Sequence, residues 1–216
     1  MTNTSGVIPH DYVESVLPTL ATIPKQRRET LERIAGFVHE RRVAGQPARL
    51  MFICTHNSRR SHMSQIWAAS AAAWYGLDGV ESYSGGTEAT AFNPRAVAAM
   101  RRAGFVIDEG PAGLANPRYA VRFARDRPAL EVFSKTFDTA SNPGSDFAAI
   151  MNCSEADDAC PIVRGAALRI SLPYEDPKLA DGTPEEAERY DERARQIARE
   201  MLYLFSRVAA DETTRS

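Results

Sequence analysis

Cysteine, histidine and tryptophan are all scarce in this chain: 216 residues carry three cysteines, four histidines and two tryptophans. Three cysteines, an odd number, are poor material for the disulfide framework of a small secreted domain. Without paired histidines nearby they do not give a four-ligand zinc site either. His56 and His62 stand six apart, which is no metal spacing. His56 reads as a loop-packing residue and His62 as a first-turn surface residue, and neither a metal nor a cofactor is expected. An excess of one charge is also missing: the formal net charge is -2 and the basic residues are scattered, so nothing favours nucleic acid or an anionic membrane as partner. No apolar run approaches the roughly 18 residues of a membrane span, and no charged start with an apolar signal core opens the chain, so a soluble, cytoplasmic protein is expected.

What is present is a chain able to bury one good core, with 44% hydrophobic residues. Its organising stretch is 49–67. Leu50 to Ile53 is an unbroken apolar run, the pattern of a buried parallel strand, and it stops at Cys54. From Arg60 and Ser61 onward, Met63, Ile66 and Trp67 give the three-and-four spacing of a helix packed by one face. A strand, a tight loop and a helix N-terminus together point several backbone N–H groups into one concavity, where the helix dipole adds positive character. With Cys54 at its floor and Arg60 at its rim, such a loop favours a thiolate and grips a tetrahedral oxyanion with a planar fork of donors. Asn57 and Ser61 are polar props inside it. A lone cysteine ending a buried strand can equally be a small core residue.

Phe52-Ile53-Cys54-Thr55-His56-Asn57-Ser58-Arg59-Arg60-Ser61 resembles the phosphate-binding loop of the low-molecular-weight protein tyrosine phosphatase superfamily, in particular its thioredoxin-coupled arsenate reductase branch. Tyr83 to Glu88 followed by Asn93-Pro94-Arg95-Ala96 is similar to the family's second strand and next helix, and Asp176-Pro177 to its general-acid loop. The resemblance spans about residues 49–207. It implies an open, mainly parallel four-stranded α/β sheet with helices on both faces, and oxyanion contacts from Thr55, His56, Asn57, Ser58, Arg59, Arg60 and Ser61. Arg59 is expected at the solvent surface. Gln65 stands where some arsenate reductases carry a glutamate near a potassium site, so that ion is not expected.

Around this core the chain departs from the family's compact pattern. Val13, Val16, Leu17 and Leu20, then Leu31, Ile34, Phe37 and Val38, recur at helical spacing and predict two helices joined near Ile23-Pro24. Residues 1–46 are thus a helical extension, either packed on the sheet, capping the site or forming a dimer surface. The main domain is expected over 47–210, with a disordered tail at 211–216. Val80 to Tyr83 reads as a strand, Ser84-Gly85-Gly86 as a turn, and Asn93 with Pro94 as a helix start. An insertion at about 111–145 carries two strand-like stretches, Tyr119–Phe123 and Ala129–Phe133, which suggest a hairpin. Phe147–Met151 and Leu168–Leu172 are further strands. Thr183-Pro184-Glu185-Glu186 predicts an N-cap and capping box for a last helix, whose face Ala187, Tyr190, Ala194, Ile197, Met201, Leu204 and Val208 is assigned to packing alone.

Cys54, Cys153 and Asp176 each follow a predicted strand, so three elements deliver reactive groups to the carboxyl edge of one sheet. The resemblance then implies an arsenate reductase: Cys54 attacks arsenic, Asp176 protonates the departing oxygen, Cys153 attacks the adduct, and Cys160 takes Cys153 into a disulfide that a thioredoxin-like reductant reopens. The alternative is phosphomonoester hydrolysis by a tyrosine phosphatase, through a phosphocysteine, with Asp176 as acid and Tyr174 standing in for the missing aromatic after Asp176-Pro177. Glu175 and Asp181 are the next candidates for the acid. A third possibility leaves Cys153 and Cys160 as ordinary thiols and the loop as an anion-binding site.

Overall fold

The computed structural model describes residues 9–111, 113–160 and 162–213. In chain order it runs α1 (His10–Val16), a 3-10 stretch (Leu17–Thr22), α2 (Lys25–Val43), β1 (Ala48–Cys54), α3 (Arg60–Trp74), β2 (Val80–Gly86), α4 (Pro94–Arg102) and β3 (Val106–Glu109). There follow β4 (Tyr119–Arg122), β5 (Leu130–Val132), β6 (Phe147–Met151), α5 (Ser154–Ala159), β7 (Ala166–Ser171), a 3-10 turn (Pro177–Ala180) and α6 (Glu186–Thr213).

The main sheet is four-stranded and parallel, in the order β2-β1-β6-β7. β1 and β6 are central and covered on both sides, which is why they read as continuous apolar runs rather than alternating ones. Alternate residues still separate the two faces. Leu50, Phe52, Ala148 and Ile150 join the large core with α2, α3 and α6, while Met51, Ile53, Ala149 and Met151 join a small cluster under α5. The two covers are therefore unequal: three long helices on one face, one six-residue helix and loops on the other.

α3 lies almost wholly inside the protein, and its run of small residues, Ala68, Ala69, Ala71 and Ala72, lets it sit close to the strands. Trp67, fully buried, meets Phe105 edge-on at 4.8 Å and stacks on Tyr12 of α1 at 5.4 Å. Val13, Val16, Leu31, Ile34 and Val38 belong to this same core, so the N-terminal helices are continuous with it. Asn93 caps α4 by accepting from the Arg95 N–H, with Pro94 in the first turn, as the sequence predicts.

Several expectations are corrected. Ser84-Gly85-Gly86 is not a turn: it is the end of β2, in register with Phe52, Ile53 and Cys54. The glycines serve close approach, since a Cβ on Gly85 would land on the Phe137 backbone and one on Gly86 would lie 2.7 Å from the Asn57 nitrogen. The expected hairpin exists as β4–β5, but β3 joins it in a three-stranded antiparallel sheet. The chain leaving β5 runs back beside the end of β2, where the Gly86 N–H donates to the Lys135 carbonyl at 2.9 Å and the Phe137 N–H to the Gly86 carbonyl at 3.0 Å.

α6 begins at Glu186, and the Thr183 hydroxyl turns back to the Ala180 carbonyl instead of capping it. Glu186 does reach back, accepting from the Gly182 N–H at 2.7 Å, but Ala187 is exposed. Residues 211–213 are helical rather than a disordered tail, and 214–216 lie outside the described residues. No described helix is long and apolar enough to cross a membrane.

The Gly85 contact makes a direct expectation. Gly85→Ala forces the Phe137 backbone outward and should lower unfolding stability by about 1–3 kcal/mol, as overpacking does, in a urea titration. Gly79→Ala, with open space around its Cβ but a positive φ, is the control for backbone strain alone.

Candidate active site

β1 ends at Cys54, and residues 55–59 loop tightly before α3 starts at Arg60. The tightness rests on Asn57, which is fully buried at φ 43°, a left-handed conformation that asparagine tolerates better than most residues. Both ends of its amide are used: the nitrogen donates to Ser61 Oγ at 2.9 Å, and the oxygen accepts from the Lys135 N–H at 2.9 Å. Ser61 Oγ is itself 3.0 Å from Cys54 Sγ. Because that hydroxyl oxygen already accepts from Asn57, its own proton is free to point at the sulfur.

The outer wall of the loop is held by backbone and by the inserted segment. The Thr55 carbonyl accepts from the Glu88 N–H and the Thr87 hydroxyl, and the Ser58 carbonyl from the Asn93 N–H. Ser134 donates its hydroxyl to the His56 carbonyl at 3.0 Å and accepts from the Thr90 N–H. Asn116 in turn brackets the Ser134 backbone. Ser134 and Lys135 thus buttress the loop from behind, which nothing in their sequence signals.

Arg60 is buried and its guanidinium has two holds: one nitrogen donates to the Tyr174 carbonyl and the other to Asp176 Oδ2, each at 2.9 Å. Asp176 also accepts from the Lys178 N–H. The segment after β7 thereby lies against the rim of the loop, with a carboxyl group beside the guanidinium. The other carboxylates nearby are otherwise engaged: Asp181 accepts from the Tyr190 hydroxyl at 2.8 Å and lies within 4 Å of Arg59 and Arg95, and Glu175 pairs with Arg193.

Cys153 lies two residues beyond the end of β6 at Met151 and is the N-cap of α5, accepting from the Ala156 N–H at 3.4 Å. Its sulfur is also 3.5 Å from the Thr55 hydroxyl, and it shares one apolar cluster with Cys54 and Cys160. Burial raises its thiol pKa, partly countered by the Thr55 hydroxyl and the Ala156 N–H. Cys160 ends α5, half-buried, and all three thiols are free. Arg169 of β7 pins that end of the helix, donating to the carbonyls of Cys160 and Asp157 and pairing with the Asp157 carboxylate.

The structure moves some residues from their expected places. His56 does not pack in the loop: its side chain is half-exposed, 3.7 Å from Glu88. His62 is no surface residue but fully buried, its ring tilted against Phe92 at 4.5 Å and hydrogen-bonded to the Phe133 carbonyl at 3.2 Å. Arg59 is not solvated: it donates to the Tyr190 hydroxyl at 2.8 Å, so Tyr190 does more than pack. Tyr174 cannot flank a substrate ring, being buried with its hydroxyl on Glu200. Gln65 is buried between Ser82 and Ser84, donating to the Ser82 carbonyl and accepting from the Ser84 hydroxyl.

A parallel sheet whose first strand ends in a cysteine at the floor of an oxyanion-shaped loop, with an aspartate facing the loop's arginine, defines a class, and comparisons agree with it. Residues 49–120 match the model of the low molecular weight phosphotyrosine protein phosphatase family. A solved low-molecular-weight protein tyrosine phosphatase from T. tengcongensis shares the fold, with a TM-score of 0.50 at 19% identity over 74% of this chain and 98% of that one. The arsenate reductase of Bacillus licheniformis is 31% identical over 157 residues, covering 73% of this chain and 94% of the relative. That of Bacillus subtilis is 30% identical over 146 residues, 68% of this chain and 86% of the relative. The chain belongs to the low-molecular-weight protein tyrosine phosphatase superfamily. Within it, the chain lies in the branch of the arsenate reductases.

The buried His62 makes stability depend on pH. Burial, and then the nearby charge of Lys135, push its pKa down to about 3. Below pH 6.5 the unfolded chain takes up a proton there that the folded chain refuses, so the contribution is complete above 6.5 and is lost as pH falls toward 3. Between pH 7 and pH 4 the loss should be on the order of 3 kcal/mol, and His62→Gln should flatten the urea-measured stability over that window.

Proposed function

We propose that this protein reduces arsenate to arsenite through a relay of Cys54, Cys153 and Cys160. The observation that carries the proposal is the position of Cys153, whose sulfur touches the loop through the Thr55 hydroxyl and packs in one cluster with Cys54 and Cys160. Ester cleavage needs only Cys54, Arg60 and Asp176, and gives a second sulfur in this place no task.

In the first step the Cys54 sulfur attacks arsenic of an arsenate held by the N–H groups of residues 55–61 and by Arg60, and Asp176 protonates the oxygen that leaves as water. Cys153, as thiolate, then attacks the Cys54 sulfur. The S–As bond breaks, its electron pair stays on arsenic, which falls from As(V) to As(III), and arsenite departs, leaving a Cys54–Cys153 disulfide. Cys160 attacks Cys153, the new disulfide joins 153 to 160, and Cys54 is restored. An external dithiol of the thioredoxin kind supplies the two electrons that close the cycle, in a cytoplasmic setting that keeps the thiols reduced.

The second disulfide demands movement. Seven positions along a helix separate the two Cα atoms by roughly 10 Å, beyond the ~7 Å a disulfide spans, so α5 must unwind. Its N-cap is the reacting sulfur itself, so the attack by Cys153 removes the cap as it forms the bond. The raised pKa of Cys153 keeps it as a thiol until then, so turnover should rise with pH above neutrality.

Aryl ester substrates fit the rim less well. Leu179, 80% exposed beside Asp176, is aliphatic, and the only tyrosine of the segment faces inward.

The decisive assay gives reduced protein arsenate and a thioredoxin system, with aryl phosphate hydrolysis measured in parallel. Cys54→Ser should abolish both activities. Cys153→Ser should reduce arsenate turnover to background and leave ester hydrolysis, while Asp176→Asn should slow leaving-group departure by about 10²–10⁴-fold. Arsenate reduced catalytically by Cys153→Ser would refute the relay.

A further inference from the structure

We propose that Arg27, on α2, is a positioning residue: with Glu200 and Tyr174 it clamps the segment that holds Arg60 and Asp176, and so sets the grip on the oxyanion. The proposal rests on the oxyanion site described above, not on which oxyanion is turned over.

Arg27 spreads its guanidinium between two distant parts of the chain, with hydrogen bonds from Nε and Nη1 and an ion contact from Nη2. Its Nε lies 3.0 Å from both oxygens of Glu200 on α6, and a second nitrogen lies 2.9 Å from the same carboxylate. The remaining nitrogen donates to the Pro173 carbonyl at 2.8 Å, and the planar group sits 4.7 Å over the ring of Tyr174. Glu200 is 1% exposed, so its charge is compensated inside the protein. It accepts from Arg27, from the Tyr174 hydroxyl at 2.8 Å and from Gln196. A buried carboxylate with this many donors has little freedom to move.

Tyr174 is the link to the site. Its hydroxyl is held by Glu200, its ring by Arg27, and its N–H by the Asn152 carbonyl at 3.0 Å. Its own carbonyl then faces the loop and accepts from Arg60, two residues before Asp176 accepts from the other guanidinium nitrogen. Both acceptors that aim Arg60 therefore belong to a segment fixed from behind by α2 and α6. Arg60 is a flexible side chain that has to present its fork at one angle. Misplacement by a fraction of an ångström in that angle weakens binding and the alignment of Asp176 together.

A lysine at position 27 can keep the charge beside Glu200 but cannot also span to the Pro173 carbonyl and lie flat on the tyrosine ring. The clamp thus predicts a fault in oxyanion grip that exceeds any loss of stability. The control is Arg42→Lys, which disturbs another α2 ion pair, with Glu212, at the far end of the helix from Arg27.

The test measures binding of inorganic phosphate to the reduced full chain by calorimetry, with thermal unfolding and the pH profile of aryl phosphate hydrolysis followed alongside. Arg27→Lys should weaken phosphate binding roughly 10-fold and shift the acid limb of the pH profile, while Arg42→Lys moves neither. Tyr174→Phe, which removes one hydroxyl and keeps the ring and carbonyl, should give a smaller shift in the same direction, and serves if Arg27→Lys does not fold. Phosphate binding unchanged in Arg27→Lys, or weakened equally in Arg42→Lys, overturns the clamp alone. Wild-type protein that does not bind phosphate overturns the oxyanion site and the clamp with it.

Discussion

The buried amide of Asn57 is the contact on which the rest of this site depends. It stands in a loop too short to satisfy its own polar groups, in a left-handed conformation, and it ties three elements through two hydrogen bonds: the loop itself, the start of α3 at Ser61, and the inserted segment at Lys135. A buried amide with one end unpaired costs far more than a hydrogen bond contributes when made, so the arrangement is close to all-or-none. From that fixed point the Ser61 hydroxyl is held 3.0 Å from the Cys54 sulfur. Gly86 completes the fit because no side chain could stand between the end of β2 and the Asn57 nitrogen.

Much of this was legible in the sequence because it is local. The apolar run before Cys54, the helical spacing after Arg60, and the Asn93-Pro94 start of α4 all follow from backbone chemistry over a few residues. The placement of Cys54, Cys153 and Asp176 beyond strand ends followed from the same runs. What the sequence hid are contacts between distant positions. Ser134 and Asn142 are ordinary polar residues until the chain brings one under the loop and the other against the Ser84 carbonyl of β2, and Arg27 lies 146 residues before the carbonyl it meets. The burial of His62 is hidden for a related reason: position in a first turn suggests exposure, but α3 is covered on nearly every side, and His62 is enclosed with it. The Ser84-Gly85-Gly86 sequence suggests a turn, but in the fold the two glycines mark close approach of chains.

The cysteines divide the labour of the site by their surroundings. Cys54 ends β1 at the start of the loop, buried and 3.0 Å from the Ser61 hydroxyl. Cys153 is buried, its thiol pKa raised, and its sulfur lies 3.5 Å from the Thr55 hydroxyl of the loop. Cys160 lies at the other end of a helix pinned by Arg169, so in the proposed relay the last bond would wait on a conformational change. That order, fixed then poised then remote, matches the order in which the three sulfurs act in the proposed cycle.

The unequal covering of the sheet has a consequence for the whole molecule. On one face, α2, α3 and α6 lock the strands into a slab; on the other, a turn and a half of helix lies over a handful of side chains. Rearrangement on the thin side can proceed while the thick side keeps its packing. The protein is in effect a stiff chassis with one thin panel, and in the proposed relay the cycle between dithiol and disulfide would leave the chassis, and hence most of its resistance to unfolding, unaltered.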